Sequence, residues 1–285
     1  MAFGISHKPR RLPLLVRIAL TAERFRKAVE HLQLLLAEEV LWVWTLPGQR
    51  EASNQLVYSG KDTYLAGGWF FEVGLFDWER IAFTTPPFPS SGRILLGGAG
   101  GGRELRGLCE MGFDVVAFEP SERLCEGARQ IVSGYPKSTV ARGSYGDLVT
   151  AAEQRSGPLA AHVLDSSFDA VLFGYGSFNY VFTEADRQAL LRATRKIAPK
   201  APLLFSFASQ RTETGTLDRL RPPIRRLFEL MKAPSARRPG DTFASYTGFI
   251  HELALDEIRA AADCSGYRIV SCPQGDAPHA LLMPL

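Results

Sequence analysis

Apolar side chains recur at helical spacing over residues 21–44. Phe25, Ala28, Val29, Leu32, Leu35, Leu36 and Val40 fall on one stripe, while Glu23, Arg24, Lys27, Glu30, His31 and Glu38 fall elsewhere. Trp42, Val43 and Trp44 extend the apolar surface until Pro47-Gly48 closes the helix. Such a helix packs on a main domain as a cap, walls a pocket or joins a second copy, and periodicity does not choose among these. From Tyr58 to Phe83 the chain is rich in aromatic residues, broken by Gly60, Gly67, Gly68 and Gly74, and reads as irregular. The run Thr84-Thr85-Pro86-Pro87-Phe88-Pro89-Ser90-Ser91-Gly92 is a boundary by its proline density. It divides the chain into an N-terminal helical and aromatic module, 1–91, and a second domain, 92–285.

Past that boundary the pattern alternates. Arg93–Leu96 reads as a strand and leads through a glycine run to a helix carrying Leu105, Leu108 and Met111. Val115–Glu119 is a second strand, followed by a helix with Leu124, Ala128 and Ile131. Val140 marks a third strand, Phe168–Phe173 a fourth and Leu203–Phe207 a fifth. Leu190, Leu191, Thr194 and Ile197 form one face of a helix between the last two, and Thr183 with Asp186 resembles a capping box at its start. Repeated strand–helix units predict an α/β fold with a mostly parallel sheet covered on both faces. The end differs: a helix with Ile258, Ala261 and Ala262 precedes strand Tyr267–Cys272, a turn at Pro273, Gly275 and Asp276, and the apolar run Ala280–Met283. So short a connection forces an antiparallel hairpin.

Composition narrows the function classes. The 285 residues are 46% hydrophobic and 22% charged, with 33 basic against 30 acidic side chains. This is a soluble globular composition, and a formal charge of +3 implies no nucleic-acid partner. Cys109, Cys125, Cys264 and Cys272 show neither metal-ligand nor disulfide-frame spacing, so no metal is expected and a reducing, cytoplasmic location is. Pro13 and Arg17 interrupt the apolar stretch near the N-terminus, which argues against a signal peptide. No uncharged run approaches the ~20 residues of a membrane span, so no membrane partner is expected. Monomer and homodimer stay equally open.

The glycine run carries the chemistry. In Leu96-Gly97-Gly98-Ala99-Gly100-Gly101-Gly102-Arg103-Glu104, glycines directly after a strand allow a tight turn and close approach of backbone to ligand. The following helix offers free N–H groups and the positive end of its dipole. Glu119 ends the next strand, where a carboxylate accepts both ribose hydroxyls of a nucleoside. The dinucleotide fingerprint fails, because Arg103 or Leu105 stands where its last glycine belongs. Gly98-x-Gly100-x-Gly102 instead has the spacing of class I S-adenosylmethionine-dependent methyltransferases, which the chain resembles over residues 92–285. Glu119, the strand Phe168–Phe173 and the terminal hairpin extend the match.

The resemblance implies a Rossmann-like seven-stranded, mostly parallel sheet with a C-terminal antiparallel hairpin, S-adenosyl-L-methionine as cofactor, and methyl transfer to oxygen or nitrogen of a small molecule. It places Gly98, Ala99, Gly100, Gly102, Glu104, Glu119, Pro120, Phe173 and Gly174 around the cofactor. Two departures stand out. Leu96 occupies the position of the family's acid near the methionine ammonium, leaving backbone carbonyls near Gly98 and Gly174, or Glu104, to substitute. The usual adenine-binding register falls on Gly143-Ser144, so Tyr145 and Asp147 are the adenine candidates. Aminopropyltransferases are disfavoured because Gly174-Tyr175-Gly176-Ser177-Phe178-Asn179-Tyr180 offers no carboxylate after the fourth strand. The same segment lacks the Asn-Pro-Pro-Tyr-type sequence of many nucleic-acid methylating relatives.

Methyl transfer depends chiefly on alignment and water exclusion, so no strong catalytic triad is expected. Tyr175, Ser177, Asn179 and Tyr180 would face substrate by position, with Tyr175 the nearest to a catalytic role. His251, next to Glu252 and near Tyr246, is the general-base candidate, with a structural histidine as the alternative. Tyr64, Trp69 and their neighbours up to Trp78 would close over the cofactor as a lid and line the substrate, or simply pack the N-terminal module. Between Ser209 and about Thr247 an insert carries Arg211, Arg219, Arg221, Arg225, Arg226, Lys232, Arg237 and Arg238, a solvated helix face or a surface that steers an anionic substrate. Two other readings remain: a methyltransferase-like scaffold or regulator without catalysis, and a nicotinamide-dependent oxidoreductase.

Overall fold

The structure, a computed structural model, describes residues 13–210 and 221–285. The helical periodicity begins earlier than predicted, in α1 (Leu14–Trp44). Pro47 does more than end that helix: it opens another, α2 (Pro47–Ser59), which the sequence pattern did not separate. Proline suits the first turn because its φ is preset and its missing N–H has no intrahelical partner there. The aromatic stretch expected to be irregular holds two short helices, α3 (Trp69–Glu72) and α4 (Asp77–Thr84). Glu79 caps the second, accepting the Phe76 N–H at 2.8 Å.

From residue 93 the predicted alternation is observed: β1 (Arg93–Gly97), α5 (Arg103–Glu110), β2 (Asp114–Glu119), α6 (Glu122–Val132), β3 (Thr139–Arg142), α7 (Tyr145–Gln154), α8 (Ala160–Val163), β4 (Ala170–Phe173), α9 (Glu184–Ile197) and β5 (Leu203–Ser206). Then come α10 (Arg221–Leu230), a hairpin of β6 (Asp241–Ala244) and β7 (Gly248–His251), α11 (Leu255–Cys264), β8 (Tyr267–Ser271) and β9 (His279–Pro284). The main sheet is seven-stranded in the order β3-β2-β1-β4-β5-β9-β8. Its first five strands are parallel, and β9 runs antiparallel to both β5 and β8. This is the α/β sheet with a terminal antiparallel pair that the sequence implied.

Strand side chains alternate between two cores. Leu95, Phe118, Val171, Leu203 and Phe205 point to one face, against Leu148, Leu190, Leu191 and Ile258 of α7, α9 and α11. Ile94, Leu96, Ala117, Leu172 and Leu204 point to the other, against Leu105, Leu108, Cys125 and Ala128 of α5 and α6. Burial on both faces explains why these strands are continuously apolar. Strand order reverses between β1 and β4, and a crevice opens at their carboxyl ends, where open α/β sheets bind ligands.

The chain divides into two compact units. One holds α1, α10 and the residues to Arg237; the other holds the described residues of 45–212 and 238–285. The boundary drawn from sequence at residue 91 is therefore not the division observed. Leu75, Phe83 and Phe88 share a core with Ile94, Leu96, Leu105 and Leu108, which makes the aromatic segment part of the sheet-bearing unit. In the first unit Glu39 is fully buried, with Arg237 at 2.6 Å and Arg225 at 3.5 Å, and Glu38 lies 3.4 Å from Arg237. Two arginines of the basic insert thus neutralise α1, whereas Arg226 and Lys232 are exposed. Arg238, in the other unit, donates to the Phe182 carbonyl and lies beside Asp241. Arg211, Arg219 and the side chain of Arg221 lie outside the described residues. Among the described residues no helix is long and apolar enough to cross a membrane, and no His/Cys/Asp/Glu group is placed to hold a metal ion.

Candidate functional site

The site begins where β1 ends. Gly98 and Gly100 adopt φ of +68° and +55°, a region costly for residues with a Cβ. The Gly98 and Ala99 N–H groups donate to the Phe118 carbonyl at 2.9 and 3.1 Å, tying the loop to β2. A Cβ on Gly98 would lie 2.7 Å from that of Ser177, whereas one on Gly100 would meet nothing within 4 Å. Gly100 therefore borders open space. Gly102 does not line the cavity: a Cβ there would meet Ile131 and Ala128 of α6 at 3.2 and 3.3 Å, so this glycine serves helix packing.

Glu119 closes β2 beneath the loop, 6% exposed. Its Oε2 accepts the Gly100 N–H and its Oε1 the Ser121 N–H, both at 2.9 Å. Each oxygen keeps a second lone pair, enough for two hydroxyl donors. Burial raises its pKa to about 7; the N–H groups of Ser121 and Gly100 pull it down, and the charge of Glu104 adds to the rise.

At the other end of the loop, α5 begins with a buried ion cluster. Arg103 donates to both Glu79 oxygens at 2.7 and 2.6 Å, to the Gly74 carbonyl at 2.6 Å and to Glu104 Oε1 at 2.8 Å. Burial alone would lower the arginine's pKa, but Glu104 and Glu79 more than offset it and hold it up. Glu79 is raised, by burial first, against the pull of Arg103. Two carboxylates thus share one guanidinium. Glu104 Oε1 also accepts the Tyr175 N–H at 2.8 Å, and Glu104 lines the cavity.

After β4, the turn Ser177–Tyr180 brings three predicted residues to the same place. Ser177 Oγ lies 2.6 Å from the Tyr145 hydroxyl and donates to the Gly174 carbonyl at 2.6 Å. Tyr145 also donates to the Gly97 carbonyl at 3.1 Å, and burial pushes its pKa up. Asn179 lines the cavity, but its amide is engaged by backbone: it donates to Ala208 and His251 carbonyls and accepts the Ala208 N–H. It braces the wall rather than presenting a free amide. The Tyr180 hydroxyl bonds that of Tyr58 and donates to the Thr247 carbonyl.

These groups surround a cavity of about 830 Å³, within the ~300–1,000 Å³ range of ligand pockets. Gly98, Ala99, Gly100, Glu104, Glu119, Pro120, Tyr145, Tyr175, Ser177, Asn179, Tyr180, Tyr64 and Tyr246 all border it. Among its described lining residues are six carboxylates, Glu51, Glu104, Glu119, Asp186, Glu252 and Asp276, against the single guanidinium of Arg103. That balance is opposite to the one an anionic ligand would call for.

Other predicted residues lie elsewhere. Asp147 borders an adjoining recess, which shares Glu51, Gln55, Pro120 and Ser144 with this cavity, and its Oδ2 accepts the N–H and hydroxyl of Ser144 at 2.8 and 2.9 Å, capping α7. Ser144 lines both spaces, so the register implied by the resemblance and the alternative at Asp147 lie side by side. Trp69 is 68% exposed and off the wall, while its neighbour Phe70 is on it. Phe173 is buried behind the wall under Tyr145, at a centroid distance of 5.0 Å. Gly174 supports the loop from behind, its N–H donating to the Gly97 carbonyl at 2.8 Å; a Cβ there would meet the Gly98 carbonyl oxygen at 2.4 Å.

His251 requires the largest correction. It is 1% exposed and outside the cavity, with Nδ1 2.6 Å from Asp241 and Nε2 2.9 Å from Glu257. Burial lowers its pKa, but the bonds to those two carboxylates outweigh it, and the net shift is upward. With both ring nitrogens engaged, it pins the β6–β7 hairpin to α11 and does not serve as a general base. The sequence reading also missed Tyr58, Arg103 and the face of α2 with Glu51, Asn54 and Gln55, while Phe70 belongs to the aromatic cluster it named. The proline-first signal at Pro47 would have found α2; nothing local marks Arg103 as a buried partner of Glu79.

No family model matches the chain, and no curated protein matches it. Solved structures do. A SAM-dependent methyltransferase from Leishmania major is similar with a TM-score of 0.52 at 14% identity, covering 82% of this chain and 82% of that one. A protein from Pyrococcus horikoshii OT3 is similar with a TM-score of 0.52 at 16% identity, covering 80% of this chain and 98% of that one. Likeness at these identities is a likeness of fold: the sheet-bearing unit has the Rossmann-like fold of class I S-adenosylmethionine-dependent methyltransferases.

Proposed function

We propose that the chain is an S-adenosylmethionine-dependent methyltransferase acting on oxygen or nitrogen of a small molecule. The observation that carries this reading is Glu119, a buried carboxylate fixed by two backbone N–H groups beneath a left-handed glycine loop, at the carboxyl edge where strand order reverses. The residues fit the cofactor in three respects. Glu119 has lone pairs for a ribose diol. Open space beyond Gly100 leaves room for a ligand against the loop. Glu104, whose Oε1 takes the Tyr175 N–H and Arg103, has its other oxygen for an ammonium, in place of the acid absent at Leu96.

When bound, the cofactor supplies an electrophilic methyl group on a sulfonium sulfur. The protein's part is placement. Glu119 and the glycine loop would fix the nucleoside, and Tyr145 with Ser177 would hold the turn after β4 against that loop. Tyr58, Tyr64, Phe70 and Tyr175 would exclude water from the remaining volume, which raises the reactivity of a neutral nucleophile aligned with the methyl group. Among the described residues lining the cavity there is no histidine or lysine.

Calorimetric titration with S-adenosylmethionine, S-adenosylhomocysteine and NADH tests the reading. Binding of both sulfur nucleosides and not of NADH is expected; absence of sulfur-nucleoside binding refutes it. Binding without turnover across amine, phenol and carboxylate acceptors would favour a non-catalytic scaffold.

A further inference from the structure

Lys61 follows α2 and has no carboxylate partner among the described residues. Its ammonium instead lies over three tyrosine rings, 4.5 Å from the centroid of Tyr58, 5.4 Å from that of Tyr64 and 5.9 Å from that of Tyr246. All three distances fall within the ~6 Å reach of a cation–π contact. The three rings come from separate elements: α2, the turn Asp62–Tyr64, and the connection between β6 and β7. Each of them also lines the cavity, whereas Lys61 itself does not. The lysine thus reaches into the tyrosine cluster from outside the cavity wall.

Charge around the cavity points the same way. With Glu104 and Glu119 assigned to the cofactor, Glu51, Asp186 and Asp276 remain along the described lining. Among the described residues the only basic one on the lining, Arg103, is held by Glu79 and Glu104. A site for an anion would have the reverse balance.

We infer that the substrate carries an ammonium group, which takes the place of the Lys61 side chain among Tyr58, Tyr64 and Tyr246 on the wall of this acid-lined cavity. Lys61 occupies the cage until the ligand arrives. Burial without a counter-ion already lowers the lysine's pKa, so its departure to water relieves a desolvation penalty. The exchange is of cation for cation and leaves the charge of the cage unchanged. The inference rests on the methyltransferase reading for what happens next, but the cage stands on its own geometry.

The test uses the full chain and choline as the cationic probe, neohexyl alcohol as its uncharged carbon isostere, and acetate as the anion, titrated by calorimetry with and without S-adenosylhomocysteine. Choline is expected to bind about 3- to 30-fold more tightly than the alcohol, the span of a partly desolvated cation–π site, and acetate not to compete. Lys61→Ala should tighten choline binding severalfold by emptying the cage. Tyr246→Ala, at a residue 70% exposed and therefore tolerant of change, should weaken it. Equal affinity for choline and the alcohol, or a Lys61→Ala protein no tighter than wild type, overturns the inference. Failure to bind S-adenosylhomocysteine would end the methyltransferase reading alone, because the choline comparison is read in its absence as well.

Discussion

Glu119 should make nucleoside affinity depend on pH. In the free protein its carboxyl is raised from 4.5 to about 7, mainly by burial, with the Ser121 and Gly100 N–H groups opposing and Glu104 assisting. Near pH 6 the group is therefore largely protonated. A ribose diol donates to it, and donors to a carboxylate favour the ionised form. Binding should consequently expel a proton, and affinity should rise with pH up to about 7 and level off above it. Each unit by which the ligand returns the pKa toward its ordinary value is worth about tenfold, so full return corresponds to about 3 kcal/mol, or a few hundredfold. The folding side carries the opposite sign. A raised acid pKa means that the folded state holds the proton more tightly. This site's stabilisation is then full below pH 4.5 and lost as pH climbs to about 7. Calorimetry of S-adenosylhomocysteine in buffers of unlike ionisation enthalpy, from about pH 5.5 to about pH 8, counts the released proton directly. Glu119→Gln should bind about 10- to 100-fold more weakly at the alkaline end, having lost charge-assisted bonds of about 1.5–3 kcal/mol, and should show no slope. A flat wild-type profile, or the same slope in the glutamine variant, would refute the assignment.

Three further outcomes are expected. Gly100→Ala adds a methyl to open space at φ +55°, so it should cost about 1–2 kcal/mol of stability while weakening nucleoside binding at least tenfold; Gly101→Ala, whose Cβ would lie 2.0 Å from the Tyr64 carbonyl oxygen, should instead show mainly as a lower Tm. Glu104→Gln should weaken S-adenosylhomocysteine about tenfold, the size of one charged hydrogen bond, yet leave methylthioadenosine, which lacks the amino-acid moiety, unchanged in the same titration. His251→Asn strands Asp241 and Glu257 and should cost about 3–5 kcal/mol in urea unfolding, with turnover per folded molecule unaltered. Because the His251 pKa is raised, its stabilisation is full below pH 6.5 and fades as pH rises through the folded value; Glu257, held at about 2, keeps its contribution above 4.5 and loses it as pH falls toward 2.

Short-range pattern was enough for the sheet domain. Continuous apolar strands, glycine directly after β1 and an acid at the end of β2 are local features with local causes, and they led to the observed strand content and to the loop, Glu119, Tyr145 and Ser177 on one cavity wall. The same reasoning failed wherever a residue's role is set by a partner far along the chain. His251 has a sequence neighbourhood suited to a general base, and only packing of the β6–β7 hairpin against α11 gives both its nitrogens to carboxylates. Asp147 gives one carboxylate oxygen to its own helix start, a role that spacing from the glycine loop does not reveal. Arg225 and Arg237, part of an apparent basic surface, prove to neutralise Glu39 about two hundred residues away, and the real charge of the cavity is acidic. The sequence by itself determined the sheet, the glycine loop and the acid beneath it, because strand burial and left-handed turns restrict residue type at the position itself. Which charges meet, which histidine is buried and which tyrosines surround a lysine were decided by tertiary structure alone, because electrostatic and packing partners are chosen by distance in space, and spacing along the chain does not encode it.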